Sequence, residues 1–106
     1  MLSSTGPGKP LTEAGLRQLI TKALDKGFIS ESPHSSEDRA YRNISDDDMR
    51  YGLERGDWTI EMPPNYDQGH HSWEYLIRTV DIEGDELHLK VAAYPADNRI
   101  AVITKY

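Results

Sequence analysis

The sequence has no cysteine, no long apolar run and no excess of basic charge, and each absence removes a class of function. Without cysteine the chain offers no disulfide, thiolate zinc site, iron–sulfur cluster or cysteine nucleophile. No apolar stretch approaches the ~20 residues of a membrane helix. The first ten residues are polar and rich in Gly and Pro, unlike a secretory signal. We therefore expect a cytoplasmic protein.

Charge restricts the partners further. The chain carries 18 acidic and 12 basic residues, which gives a net charge of −6. An acidic surface opposes non-specific phosphate binding, which needs clustered Lys and Arg, although it leaves room for a small basic pocket. We expect neither DNA nor a membrane as partner. The expected state is a monomer or a weak dimer.

A length of 106 residues suits one domain. Residues 1–10 lack periodicity and are predicted to form a mobile tail, so a single domain would span 11–106. Apolar residues at helical spacing predict a helix over 11–26. A second helix is predicted over 46–55, because Ser45 and Asp48 form a capping box and Gly56 follows as a stop signal. A short helix also suits 35–42.

After Gly56 the apolar period changes to two, which is typical of strands. Strands are predicted over 57–62, 73–82, 86–94 and 99–105, with a mobile polar loop at 65–72 between the first two. Short turns between successive strands favour an antiparallel meander. The predicted class is α+β, with N-terminal helices packed on a mostly antiparallel four-stranded sheet.

Several short motifs, in this order, resemble a small family of bacterial domains of unknown function. They occupy Ser32 to Tyr106 and comprise Ser32-Pro33-His34, Arg42, Ile44-Ser45, Asp48, Gly56, Tyr75–Arg78, Gly84, Leu87–Ala93 and Val102-Ile103-Thr104. That family is similar to RelE-like toxins, whose superfamily includes barnase-like ribonucleases. The resemblance implies a RelE-like sheet with helices on one face and an ancestry in RNA cleavage or RNA binding. Asp38 stands where the family usually has Arg.

Metal-free RNA cleavage needs a base for the 2′-OH, a cation for the phosphorane and an acid for the leaving oxygen. His34 is the acid–base candidate because its ordinary pKa lies near neutrality. Arg42 and Arg78 are candidates for holding the phosphate through a bidentate fork. Thr104, Tyr75 and Tyr106 are alternative candidates for a hydroxyl group. The enzyme hypothesis is therefore a metal-free ribonuclease.

Each candidate also has a structural interpretation. His34 follows a proline at a helix start and suits a cap, while Arg42 lies among acidic residues and suits a salt bridge. The alternative function is a non-catalytic, immunity-like or regulatory module that binds another protein. Adjacent His70 and His71 point apart on an extended segment and cannot easily chelate one ion. We expect no metal and no cofactor.

Overall fold

The structure, a computed structural model, describes residues 9–26, 29–31 and 44–106. The predicted helix at 35–42 and most of the predicted tail lie outside these ranges. Within them the predicted α+β class is confirmed. The elements are α1 (Glu13–Lys26), β1 (Ile29–Glu31), α2 (Asp46–Glu54), β2 (Thr59–Ile60), β3 (Asn65–Asp67), β4 (Ser72–Val80), β5 (Glu86–Tyr94) and β6 (Arg99–Lys105), with a 3-10 turn at Pro95–Asp97.

Local capping signals set the ends of both helices. At α1, the Thr12 hydroxyl accepts a hydrogen bond from the Gly15 amide at 3.1 Å. At α2, the Ser45 hydroxyl accepts from the Asp48 amide at 3.1 Å, and the Asp48 carboxylate accepts from the Ser45 amide at 3.2 Å. This is the predicted capping box. Gly56 follows α2 with a φ of 80°, a conformation that glycine adopts without strain.

The sheet is mixed and six-stranded, so the predicted mostly antiparallel four-stranded sheet is wrong in its number of strands. Its order is β1-β6-β5-β4-β2, with β3 also paired to β4. The parallel pair is β1 with β6, in which Ile29 lies opposite Ile100. A strand of three residues is too short to show a period of two, and its parallel partner lies about 70 residues away in sequence. The pairing of β1 with β6 therefore produces no periodic pattern that can be recognised in the neighbouring sequence.

The segment before β4 also departs from the prediction. Only Thr59–Ile60 of the predicted strand 57–62 pairs with β4, and pairing resumes at Asn65–Asp67 within the predicted loop. Pro63 and Pro64 divide the two pieces because proline has no amide hydrogen to donate to the sheet. Met62, predicted to share a face with Trp58, is 57% exposed.

Both helices cover one face of the sheet, α1 over β6 and α2 against β4. Leu89 and Val102 are fully buried there, as predicted. Most of the buried apolar side chains form one cluster, made of Leu16, Leu19, Ile20, Ala23, Met49, Leu53, Trp58, Tyr75, Ile77, Leu87, Leu89, Val91, Ala93, Ile100 and Val102. Neither described helix is long and apolar enough to cross a membrane.

The opposite face, which we call the outer face, carries the residues that alternate with this core. They are Glu74, Leu76 and Arg78 of β4 and His88 and Lys90 of β5. Because side chains alternate along a strand, the same pattern that buries Ile77 and Leu89 directs these mostly polar side chains away from the helices. The outer face therefore collects most of the sheet's charged residues.

Candidate functional site on the outer face

Strand register places Arg78, His88 and Tyr106 in one row across the outer face. Arg78 lies directly opposite His88 in the β4–β5 pair. His88 and Tyr106 exchange two backbone hydrogen bonds, of 2.8 and 3.0 Å, just beyond the end of β6. Their rings stack nearly parallel, with centroids 5.1 Å apart and 9° between the planes. A phenol, an imidazole and a guanidinium thus occupy neighbouring strands.

His88 is held between two carboxylates. Its Nδ1 lies 2.5 Å from Oε1 of Glu61, and its Nε2 lies 2.8 Å from Oε2 of Glu86. Both contacts are hydrogen bonds only if both ring nitrogens donate, which is the charged form of the ring. The side chain is 21% exposed, so it is largely enclosed but reachable from solvent. This geometry fixes the orientation of the imidazole between the two carboxylates.

The backbone positions the two carboxylates. Glu61 follows β2, and its amide donates to the Leu76 carbonyl at 2.8 Å, which extends the pairing with β4 by one residue. Glu86 opens β5 after the turn at Gly84, whose φ is 90°. Glu86 also accepts from Arg78, whose Nε lies 3.2 Å from Oε2. We call Glu61, Arg78, Glu86, His88 and Tyr106 the His88 cluster.

Thr104 lies one row further along the outer face. The register between β5 and β6 shifts at Lys90 and Val91, so that Thr104 pairs with Lys90 and Val102 pairs with Val91. Such a shift marks a β-bulge, which leaves one extra residue in a strand and redirects its neighbours. It gives Thr104 a partner on the outer face while Val102 stays in the core.

A cleft of about 390 Å³ adjoins the His88 cluster. Its walls include Met62, Pro63, Pro64, Leu76, Lys90 and Tyr106. The cleft lies where the proline pair interrupts the pairing of β2 and β3 with β4. Tyr106 belongs to both the cleft and the cluster, so a ligand in the cleft would lie beside the charged side chains.

Four of the residues proposed from sequence divide into two pairs. Arg78 and Thr104 both lie on the outer face, two strands and one row apart, or about 12 Å by strand geometry. His34 and Arg42 lie outside the described residues. The sequence argument missed His88 and its two carboxylates, although a signal for part of this was present. The turn beside Gly84 has its midpoint at residue 83, five residues from both Arg78 and His88. The position of the turn therefore predicts that these two residues pair across β4 and β5.

A second cluster joins Asp67, His70 and Glu74, which we call the His70 cluster. The His70 Nδ1 lies 2.5 Å from Oδ2 of Asp67. The hydrogen bond from His70 lowers the pKa of Asp67 to about 2, and the same bond raises the pKa of His70. Burial raises the pKa of Glu74, and its contact with Asp67 adds to that effect. His71 has a φ of 51° and takes no part in the cluster.

Comparison with known proteins identifies the family. Residues 31–106 match the domain of unknown function DUF4258. The chain belongs to this family. The match begins one residue before the segment assigned from sequence motifs, so membership of an uncharacterised domain family is confirmed. No curated protein and no solved structure shows significant similarity to the chain.

Proposed function

We propose that the outer face of this DUF4258 domain cleaves RNA without a metal ion, through the His88 cluster, and that the domain is a RelE-like relative of toxin ribonucleases. One observation carries the proposal. The imidazole of His88, 21% exposed, lies between two carboxylates, one of which also binds Arg78. These are an acid, a base and a phosphate-binding group within one hydrogen-bonded unit.

The roles follow from the contacts. Glu61 accepts the proton of the ribose 2′-OH, and the 2′ oxygen forms a bond to phosphorus. Arg78 turns from Glu86 to the phosphate and stabilises the charge of the phosphorane. His88 then donates its Nε2 proton to the 5′ oxygen as the phosphorus–oxygen bond breaks. The products are a 2′,3′-cyclic phosphate and a 5′-hydroxyl, so protons and bonds balance.

Tyr106 supplies a binding surface for the substrate. It is 43% exposed, and its ring already stacks on His88. Aromatic rings bind single-stranded bases through stacking, without strong sequence preference. A base that enters the adjoining cleft would place its phosphate near Arg78. In this proposal His34 remains a candidate acid–base group and Arg42 a candidate phosphate-binding group.

The protein is proposed to act in the cytoplasm as a monomer or weak dimer.

A non-catalytic protein-binding module is the second candidate, and one observation favours it. Arg78, His88 and Lys90 each lie within 4 Å of a carboxylate. A phosphate must therefore compete with an existing ion pair at every one of these cations. An acidic chain with paired cations is suited to a basic protein partner rather than to a free nucleic acid.

The test is cleavage of a fluorescent single-stranded RNA in excess EDTA. We expect cleavage by the wild type, with a cyclic-phosphate product. His88→Gln and Glu61→Gln should lower the rate by roughly 10²–10⁴, and Arg78→Ala should lower it similarly. His34→Ala and Arg42→Ala are included in the same series. His71→Asn, an exposed histidine outside the cluster, is the matched control and should retain full activity.

Unfolding midpoints in urea show whether each variant is folded. No cleavage by the wild type over a panel of RNAs, or equal cleavage by all variants, would remove the catalytic proposal. Either result would leave the protein-binding module as the better interpretation of the outer face.

A further inference from the structure

The His70 cluster lies at the end of the β3–β4 hairpin. Asp67 ends β3, Glu74 lies in β4, and His70 is in the turn between the two strands. Asp67 also shapes this turn, because its Oδ1 accepts a hydrogen bond from the Gly69 amide at 2.9 Å. One potential ligand atom from each of the three residues lies within 4.8 Å of the other two. The hairpin thus brings three metal-ligating side chains to one point.

Two carboxyl groups of the cluster are in contact with each other, and each has one basic side chain beside it. Glu74 is only 7% exposed, and its carboxyl group contacts that of Asp67. Two carboxylates in contact repel each other unless they share a proton or bind a positive ion. Lys90 lies 3.4 Å from Glu74, but it is 47% exposed and approaches from the neighbouring strand. His70 faces Asp67 alone in the hydrogen bonds observed.

Ser72 provides an independent observation. Its hydroxyl oxygen is buried and has no hydrogen-bond partner, the one such side-chain atom among the described residues. Ser72 lies directly opposite Asp67 and two residues before Glu74 in β4. Cross-strand partners and residues two apart share a sheet face, so this hydroxyl lies on the same face as both carboxylates. An unpartnered buried oxygen on the face of both carboxylates is a second feature that favours a bound species at this point.

We propose that Asp67, His70 and Glu74 bind a divalent first-row transition ion of the Zn²⁺ type, with a water held near Ser72 in the fourth position. Imidazole with carboxylates suits Zn²⁺, whereas Mg²⁺ and Ca²⁺ prefer ligand sets made of oxygen alone. Three protein ligands with one open position match the common zinc arrangement that admits water.

The spacing is compatible with this ion. Tetrahedral ligands at zinc bond lengths lie about 3.3 Å from one another. The ligand atoms here lie from 2.5 Å apart, for His70 and Asp67, up to 4.8 Å apart at most, so adjustments of up to about 1.5 Å complete the site. His70 is 62% exposed in the turn and is free to make that movement. Binding would displace the proton between His70 and Asp67.

This inference replaces the expectation of no metal, which considered His70 only together with His71. Those two residues indeed do not share a ligand set. The partners of His70 instead lie three residues before it and four residues after it, on two paired strands. His71 is therefore the natural control: it is the adjacent histidine, and its positive φ suits asparagine as a replacement.

The experiment is a zinc titration of EDTA-stripped, dialysed protein, followed by calorimetry and by native mass spectrometry. We expect one Zn²⁺ per wild-type chain, with loss of at least tenfold in affinity for His70→Asn, Asp67→Asn and Glu74→Gln. His71→Asn should bind like the wild type. Glu83→Gln, in the acidic cluster of Asp81, Glu83 and Asp85, should also bind like the wild type.

A thermal-unfolding series separates binding from folding. Zinc should raise the Tm of the wild type and of His71→Asn but not of His70→Asn, because only a ligand bound to the native state stabilises it. Absence of a one-to-one complex in the wild type would overturn the proposal, as would equal affinity of His70→Asn and the wild type. The RNA-cleavage assay contains EDTA, which removes zinc. The result of that assay therefore does not depend on the zinc site, and either proposal can fail while the other stands.

Discussion

Gly52 in α2 is the position where the contact between helix and sheet is most sensitive to one added atom. A methyl group at Gly52 would lie 2.6 Å from Cγ2 of Thr79 and 3.0 Å from the carbonyl oxygen of Val80. The Thr79 hydroxyl also donates to the Gly52 carbonyl at 2.8 Å. The glycine therefore permits close packing of α2 on β4, and Gly52→Ala tests this packing directly.

Two effects of opposite sign decide the result. Alanine gains about 1 kcal/mol over glycine within a helix. Overpacking a tight interface costs about 1–3 kcal/mol, and moving α2 away from β4 would also weaken the Thr79 hydrogen bond, worth about 1 kcal/mol. We expect Gly52→Ala to lower the free energy of unfolding by about 1–3 kcal/mol. The steric cost exceeds the propensity gain because backbone as well as side-chain atoms oppose the methyl group.

Urea unfolding monitored by circular dichroism measures this change, and Gly15→Ala is the matched control. A methyl group at Gly15 meets nothing closer than Leu11 at 3.4 Å, an ordinary contact, so the control should be neutral or more stable by up to about 1 kcal/mol. Thr79→Ser removes the nearest methyl and keeps the hydroxyl, so it should recover part of the loss in a double mutant. Equal stabilisation by Gly52→Ala and Gly15→Ala would refute the packing argument.

Two further predictions concern the core and the His70 cluster. Leu89→Ala should lower the free energy of unfolding by about 2–5 kcal/mol because the side chain is fully buried, and a urea midpoint equal to that of the wild type would contradict this burial. The imidazole of His70 in metal-free protein should titrate above its ordinary pKa in an NMR pH series, and Asp67→Asn should abolish that elevation. Since the pKa of His70 is raised in the folded state, its contact with Asp67 stabilises the protein at pH values below the ordinary pKa of histidine. This stabilisation is lost as the pH rises through the raised pKa. Identical titration curves for the wild type and Asp67→Asn would exclude the contact.

Local sequence signals were sufficient for the elements that form from neighbouring residues. The capping box at Ser45 fixed the start of α2, and strict alternation predicted β5 at 86–94 with its observed bounds. The strand predicted at 99–105 also matches β6. Each of these elements is specified within about ten residues, because capping bonds and the burial of alternate side chains are local in sequence.

The arrangement of the candidate sites depended on contacts that no local pattern encodes. The parallel pairing of β1 with β6 joins segments about 70 residues apart, and its three-residue length carries no periodicity. Glu61 reaches His88 only because β2 pairs with the far side of β4, and the bulge in β6 gives Thr104 its partner on the outer face. The sequence by itself determined the two helices, the long strands and which of their side chains alternate into the core, but not the short strands β1 and β3. The tertiary structure alone decided which polar side chains meet, because strand order and register bring together residues that are distant along the chain.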